Sequence, residues 1–319
     1  MSISYVEAGV VGLLQGVAEL FPVSSLGHSV LLPAVIGGAW QRDLNVSSPE
    51  SPYLAFVVGL HVATAIALVI FFRSEWVRIV RGLLSSARHR KVSTADERLA
   101  WMLVLATIPV GVSGLLLEHT FRTVLSKPVP TALFLGLNGL ILLGAEQLRR
   151  RSASRATSPA PAVAAAVGSR SSIAEADVRS EREIGIESDR RLAGMSFGRA
   201  VLIGCAQIAA LAPGISRSGV TMATGLVKGL SHEDAARYSF LLATPVIAAA
   251  GLLKLPDLFG PLGSGIRGQV VFGSLLSGLG AYVSVRFLTR YFERRSLQPF
   301  GVYCLAVSVA CLTLFAVRG

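Results

Sequence analysis

The 319-residue sequence predicts an all-α polytopic integral membrane protein, six transmembrane helices plus two re-entrant helical hairpins in an inverted repeat. Three observations predict it. Hydrophobic residues make up 52% of the chain and charged residues only 15%, against about 25% charged in an average soluble domain. Apolar stretches near the ~20 residues that a helix needs to cross a bilayer recur along the chain. Two further apolar regions are interrupted in the middle by polar, proline-containing turns. So apolar a chain is not disordered over most of its length, and three cysteines make no disulfide scaffold. The net charge of +11 would suggest nucleic acid in a soluble protein. Here it reads as loops facing anionic lipid. No basic stripe interleaved with aromatic residues supports nucleic acid as a partner.

The elements follow in order. Met1 to Gly12 carries one charge, Glu7, and so lacks the basic region of a signal peptide. Residues 6–37 form the first hairpin. Its centre reads QGVAELFPVSSLGHS (Gln15–Ser29), and Pro22, Gly27 and Pro33 would break a straight span. Non-helical backbone at membrane depth survives only inside protein or along a wet cavity, so the turn belongs in the interior. Spans at 53–72, 99–117 and 131–148 complete a first repeat, 1–148. Residues 149–193 are rich in Ser, Ala and Arg without sustained apolar periodicity, and read as a disordered linker. The second repeat, 194–319, opens with a hairpin at 197–229, broken at APGISRSGVT (Ala212–Thr221). Its spans lie at 234–253, 268–288 and 299–317. Pro22-x-x-Ser25 is matched by Pro213-x-x-Ser216. His232, Glu233 and Asp234 read as the N-terminal cap of the fourth span. Cys205, Cys304 and Cys311 lie in apolar segments without metal spacing and read as packing residues.

A hairpin returns to its own side and three spans cross over, so the second repeat is inverted relative to the first. Three connections then share one side. The first carries seven basic residues from Arg73 to Arg98, the linker starts with Arg149, Arg150 and Arg151, and the third carries Arg290, Arg294 and Arg295. The opposite connections carry only Arg122 and Lys127, then Lys254 and Arg267. The positive-inside rule makes the linker cytoplasmic and puts both termini outside.

Polar residues concentrate at the two broken turns. Gln15 and Glu19 share one helical face, and a carboxylate in so apolar a segment is expensive. A glutamine carbonyl can coordinate a cation without contributing charge. Ser24, Ser25 and His28 follow within one turn, and a hydroxyl beside an imidazole is the minimal nucleophile–base pair. By itself that spacing equally describes a helix cap. In the second hairpin, Ser216, Arg217, Ser218 and Thr221 stand among turn glycines at a helix start. That arrangement makes an anion nest with a bidentate cation suited to phosphate. It is not a P-loop. His61 and Asn138, inside spans, read as helix–helix hydrogen-bonding residues. If the tips meet, the sum is a phosphoryl-transfer site within the membrane acting on a lipid phosphate ester or diphosphate.

These motifs, Q15-G-V-A-E19-L-F-P-V-S-S25-L-G-H28 and P213-G-I-S-R217-S-G-V-T221, together with YSFLLATPVIAAAG (Tyr238–Gly251), resemble those of the undecaprenyl-diphosphate phosphatases, the bacitracin-resistance family of bacterial membrane proteins. The resemblance covers both halves and excludes mainly the linker. It implies hydrolysis of undecaprenyl diphosphate to undecaprenyl phosphate and inorganic phosphate, recycling a lipid carrier for cell-wall synthesis in the plasma membrane, and bacitracin resistance. It further implies a divalent cation, Mg2+ or Ca2+, with Glu19 and Gln15 as its ligands. The catalytic residues implied are Glu19, Ser25, His28 and Arg217, with Ser24, Ser216, Arg217, Ser218 and Thr221 binding substrate phosphate. Gln15 stands where many members carry Glu. Either Ser25 attacks phosphorus with help from His28, or His28 and Glu19 activate a water. The expected partners are the lipid substrate and membrane lipid, with a homodimer compatible, and the active site is expected on the outer face. The rival reading is a polyprenyl-phosphate flippase of the same architecture, which needs no Ser–His pair.

Overall fold

Helices α1 (Tyr5–Leu20) and α2 (Ser25–Ile36) form the first hairpin in the computed structural model, which describes residues 3–44, 52–156, 181–260, 263 and 265–318. A reciprocal cap starts α1: Glu7 N–H donates to Ser4 Oγ at 3.2 Å, and Ser4 N–H donates to the Glu7 carboxylate at 2.8 Å. The chain turns at Pro22, and Ser24 caps α2 through a 3.1 Å bond from Gly27 N–H. A short α3 (Gly38–Asp43) follows. The first three spans are α4 (Pro52–Phe71), α6 (Ala95–Thr120) and α7 (Pro128–Ala156). Between α4 and α6 lies α5 (Arg73–His89), whose buried residues Glu75, Ile79, Gly82 and Ser86 recur at helical spacing and rest on α6.

The second half repeats the order. Helix α8 (Glu181–Ala193) bends by 102° into α9 (Phe197–Cys205) and a 3-10 turn (Ala206–Leu211). Helix α10 (Arg217–Val227) completes the second hairpin. The spans α11 (His232–Phe259), α12 (Arg267–Arg294) and α13 (Gln298–Arg318) follow. Six helices are long and apolar enough to cross a membrane, and they are the six expected from the sequence. The cap of α11 is Ser231, one residue before the expected group. Its Oγ accepts from Asp234 N–H at 3.0 Å, leaving Glu233 and Asp234 in the first turn where they complement the helix dipole.

Both ends of the expected linker are helical. Helix α7 runs on through Arg149–Arg151 to Ala156, because propagating a formed helix is easier than starting one. Helix α8 is held by ion pairs. Its Asp189 bonds Arg78 of α5 and, at 2.8 Å, Arg237 of α11, while Arg237 also reaches Glu75 at 3.1 Å. Residues 157–180 of the linker lie outside the described residues.

The halves interlock. Helix α1 lies along α12, the middle span of the second half, and α9 lies along α6, the middle span of the first. The first spans α4 and α11 pack together, as do the third spans α7 and α13. Without a hydrophobic force between helices in lipid, close packing of small residues does this work. Gly12 meets the Gly273 backbone, Gly16 meets the Ser277 carbonyl and Gly204 meets the Ala106 carbonyl, each so closely that a Cβ would overlap the partner. Cys304 and Cys311 are buried where α13 packs on hairpin 1 and α7.

These contacts separate glycines that matter from those that do not. Gly16→Val should destabilise the protein by about 1–3 kcal/mol or more by overpacking, read as a lowered melting temperature in detergent. Gly114→Ala, which meets no atom within 4 Å, should leave it unchanged or raised.

Candidate active site

The two hairpin tips touch. A Cβ on Gly27 would come within 2.9 Å of Gly214 Cα, and Gly214 itself has φ +106°, a conformation that favours glycine. Asn138 of α7, fully buried, holds both tips at once. Its Nδ2 donates to the Pro22 carbonyl at 3.0 Å, and its Oδ1 accepts from Ser216 N–H at 3.0 Å. Ser218 Oγ adds a 3.2 Å bond to the Phe21 carbonyl. The two tips share one local design. In each, a serine N-cap, Ser24 or Ser216, accepts from the N–H of a glycine three residues on, at 3.1 Å in both cases. Ser24 adopts φ +69°, unusual for a residue with a side chain, as the chain reverses into α2.

At this junction Glu19 is the hub. Arg217 Nη2 donates to its Oε1 at 2.8 Å. Its Oε2 accepts from Ser25 Oγ at 2.5 Å and from Gln15 Nε2 at 2.9 Å. His61 of α4 places Nε2 3.4 Å from the same oxygen, with its Nδ1 bonded to the Val57 carbonyl at 2.8 Å. The carboxylate is therefore compensated by a guanidinium and three hydrogen-bonding neighbours from α1, α2 and α4. That set explains how a charge sits in an apolar setting.

A cavity of about 200 Å³ opens beside Glu19, with Ser24, Ser25, His61, Ser216 and Arg217 on its wall. Three buried polar atoms around it lack a hydrogen-bond partner: Arg217 Nη1, Gln15 Oε1 and Gln207 Oε1. Gln207, from the 3-10 turn, lines the cavity. One of the three is a donor and two are acceptors. Arg217 offers a free donor to an anion. The N–H groups of Ser216 and Gly219 are already used, so the first-turn donors remaining at this end of α10 are those of Arg217 and Ser218.

Not every residue expected at the site faces the cavity. Thr221 Oγ1 donates to the Arg217 carbonyl at 2.7 Å, and the Ser218 hydroxyl is engaged with Phe21 and Ser216. His28 is turned away from Ser25. Its Nδ1 donates to the Ser24 carbonyl and its Nε2 accepts from Tyr303 Oη of α13, each at 2.8 Å. The histidine on Glu19 is His61 instead.

Sequence reasoning read His61 and Asn138 as helix–helix hydrogen-bonding residues. Asn138 does bond two other elements, and they are the two tips. Gln207 carried a signal, a lone polar residue in the apolar run LIGCAQIAAL. Tyr303 carried none.

Among the described residues, no three His, Cys, Asp or Glu side chains gather as a metal site. The donors present are of a different kind. Glu19 Oε1 accepts one hydrogen bond and retains lone-pair capacity, and Gln15 Oε1 is an orphaned hard oxygen one turn away. One carboxylate and one carbonyl suit an ion of the magnesium type that takes its remaining ligands from water and phosphate oxygens. The residues fit such a shared ion.

Residues 8–310 match the family described as Bacitracin resistance protein BacA. The chain is 58% identical over 317 residues to an undecaprenyl-diphosphatase of Mycolicibacterium paratuberculosis, covering 99% of each chain. It is 52% identical to undecaprenyl-diphosphatase 1 of Frankia casuarinae, again over 99% of each chain. It is 40% identical to undecaprenyl-diphosphatase 2 of Chromobacterium violaceum, over 96% of this chain and 97% of the other.

The Glu19–Arg217 pair makes a stability prediction independent of activity. Glu19→Leu alone should cost roughly 3–5 kcal/mol by stranding the guanidinium, while Glu19→Leu with Arg217→Met should recover most of that loss. Unfolding in detergent, compared across the wild type and the two variants, measures it.

Proposed function

The chain belongs to the bacitracin resistance protein BacA family, and from that membership and the site's geometry we propose that it is an undecaprenyl-diphosphatase working within the membrane. It releases inorganic phosphate from undecaprenyl diphosphate and returns undecaprenyl phosphate, the lipid carrier for cell-wall polymers. The protein is a multi-pass membrane protein. The observation that carries the reading is the joined tip of two broken helices, where a buried carboxylate, a serine hydroxyl and a half-satisfied arginine share one cavity.

Arg217 binds the diphosphate through its free Nη1, assisted by Ser216, Ser24 and the first-turn N–H groups of α10. Ser25 Oγ attacks the terminal phosphorus as the bond to the bridging oxygen breaks, and undecaprenyl phosphate leaves. The Ser25 proton passes to Glu19 Oε2, to which it is already directed. Water then hydrolyses the phosphoserine. The Ser25–Glu19 bond supports Glu19 as the proton acceptor, and the Tyr303 contact gives His28 the part of fixing the turn at Ser24. His61 keeps Glu19 oriented. Ser218 and Thr221 hold the second turn in shape. A divalent cation, Mg2+ or Ca2+, would be held by Glu19 and Gln15 and would neutralise diphosphate charge. The basic side of the molecule, carrying the α5–α6 and α12–α13 connections and the end of α7, is cytoplasmic, so the termini and the site belong to the outer face.

Phosphate release from undecaprenyl diphosphate by the purified protein in detergent tests the reading. Release should require Mg2+ or Ca2+, and Arg217→Ala should reduce it by about 10²-fold or more. No release from folded protein with any cation would overturn it and favour a flippase. In a second experiment, a single turnover with acid quench should trap phosphate on Ser25 in the wild type and none in Ser25→Ala. Release at the wild-type rate without labelled protein would instead assign the attack to water.

A further inference from the structure

The first hairpin turns back at Phe21–Ser24, between α1 and α2. Helix α12 continues. Along the upper part of α12, α1 covers one face through Gly12 on Gly273 and Gly16 on Ser277. The cover ends where Phe21 stacks on Phe287 with ring centroids 6.0 Å apart. From there to Arg294, α12 has no α1 beside it. The Phe21 ring also meets Phe300 edge-on at 5.6 Å.

A groove of about 480 Å³ lies along that stretch, on the face of α12 formed by Val283, Arg286, Phe287, Arg290, Tyr291 and Arg294, with Arg295 at its end. Its lining is graded. Val283 and Phe287 are 58% and 51% exposed. Arg286, Arg290 and Arg294 recur every four residues along one helical face. Arg286, Arg294 and Arg295 make no ion pair among the described residues, and the acid of this stretch is exposed Glu293.

The position of Arg286 separates this cluster from an ordinary basic membrane border. Eight residues from Arg294, it lies roughly 12 Å further along the helix. It adjoins Phe287 at the level of the hairpin tip, and its side chain is exposed. A guanidinium facing hydrocarbon there is expensive even when it extends toward the interface, unless an anion comes to meet it. An open helix face that joins exposed apolar side chains to a ladder of arginines matches one kind of molecule: a lipid with a charged phosphate.

We propose that this groove binds an anionic phospholipid from the leaflet beneath the first hairpin. The phosphate is held by Arg290, Arg294 and Arg295, Arg286 reaches toward it, and an acyl chain lies on Val283 and Phe287. The arginine forks supply the paired donors that phosphate oxygens accept. None of these residues lines the cavity at Glu19, so the site is separate from the catalytic one.

The test uses the full chain purified in neutral, lipid-free detergent and native mass spectrometry with matched additions of phosphatidylglycerol or phosphatidylcholine. The wild type should retain phosphatidylglycerol about tenfold or more over phosphatidylcholine. Replacing Arg286, Arg290, Arg294 and Arg295 together by Gln should remove the preference without changing the melting temperature in that detergent. The Lys counterpart, which keeps charge but not the fork, should retain part of it. Equal retention of the two lipids by the wild type overturns the proposal, and that result is decided without any variant. So does undiminished phosphatidylglycerol retention by the Gln variant. Displacement of phosphatidylglycerol by equimolar undecaprenyl phosphate would also overturn it, reassigning the groove to the carrier lipid.

Discussion

The ion pair between Glu19 and Arg217 is the interaction on which the rest of the structure depends. Each charge stands at the broken end of a helix inside a largely apolar protein, and neither is tolerable without the other. Their 2.8 Å contact forces the two hairpins to meet tip to tip. Asn138, Ser218 and the close approach of Gly27 to Gly214 then fix how they meet. Once the tips are joined, the unwound backbone is satisfied by protein rather than by water, which is the condition for irregular chain at this depth.

The same constraint shapes the cavity on which the proposed chemistry rests. A fully satisfied ion pair would be inert structure. Here one guanidinium nitrogen and two glutamine oxygens remain without partners around a small cavity. A hydroxyl is aimed at the carboxylate rather than at a backbone carbonyl. The junction is thus incomplete in a specific way: an unpaired guanidinium N–H and two unpaired amide oxygens stand near a carboxylate that accepts from a serine hydroxyl, and these are the groups that the proposed mechanism uses. The stability of the junction and its proposed reactivity draw on the same few side chains.

The architecture was legible because membrane physics imposes long, coarse signals. Twenty-residue apolar runs, prolines inside apolar regions and the uneven placement of arginine survive any detail of packing. They yielded the six spans and the breaks at Pro22 and Pro213. Helix α5 was not read: its stretch counted only as a basic connection between spans, although Glu75, Ile79, Gly82 and Ser86 recur at helical spacing. The helical ends of the linker were not legible, since they depend on Asp189 meeting arginines 111 and 48 residues away. At the site, the residues adjacent in sequence were legible, and His61 and Asn138 were legible as hydrogen-bonding residues between helices, but not the partners they meet. Ser25 and His28 are three apart, yet their side chains diverge, because His28 points at Tyr303 on the last helix. His61 lies 42 positions from Glu19 and nothing local marks it as a neighbour. Spacing along one helix can state which residues share a face. It cannot state what another helix places opposite them.

The interlocking of the halves has a consequence for how the molecule is made. Glu19 and Arg217 are separated by 198 positions. At a synthesis rate of about 5–20 residues per second, roughly 10–40 s elapse between the emergence of one and of the other. Helix α12, the surface on which α1 rests, emerges later still. The first hairpin cannot settle when it leaves the ribosome. It must wait at the membrane border, its carboxylate wet, until the second half has been inserted. The order of synthesis therefore makes the docking of α1 on α12 a late step of assembly, and a chain that stops before α12 carries both hairpin tips without the helix on which α1 rests.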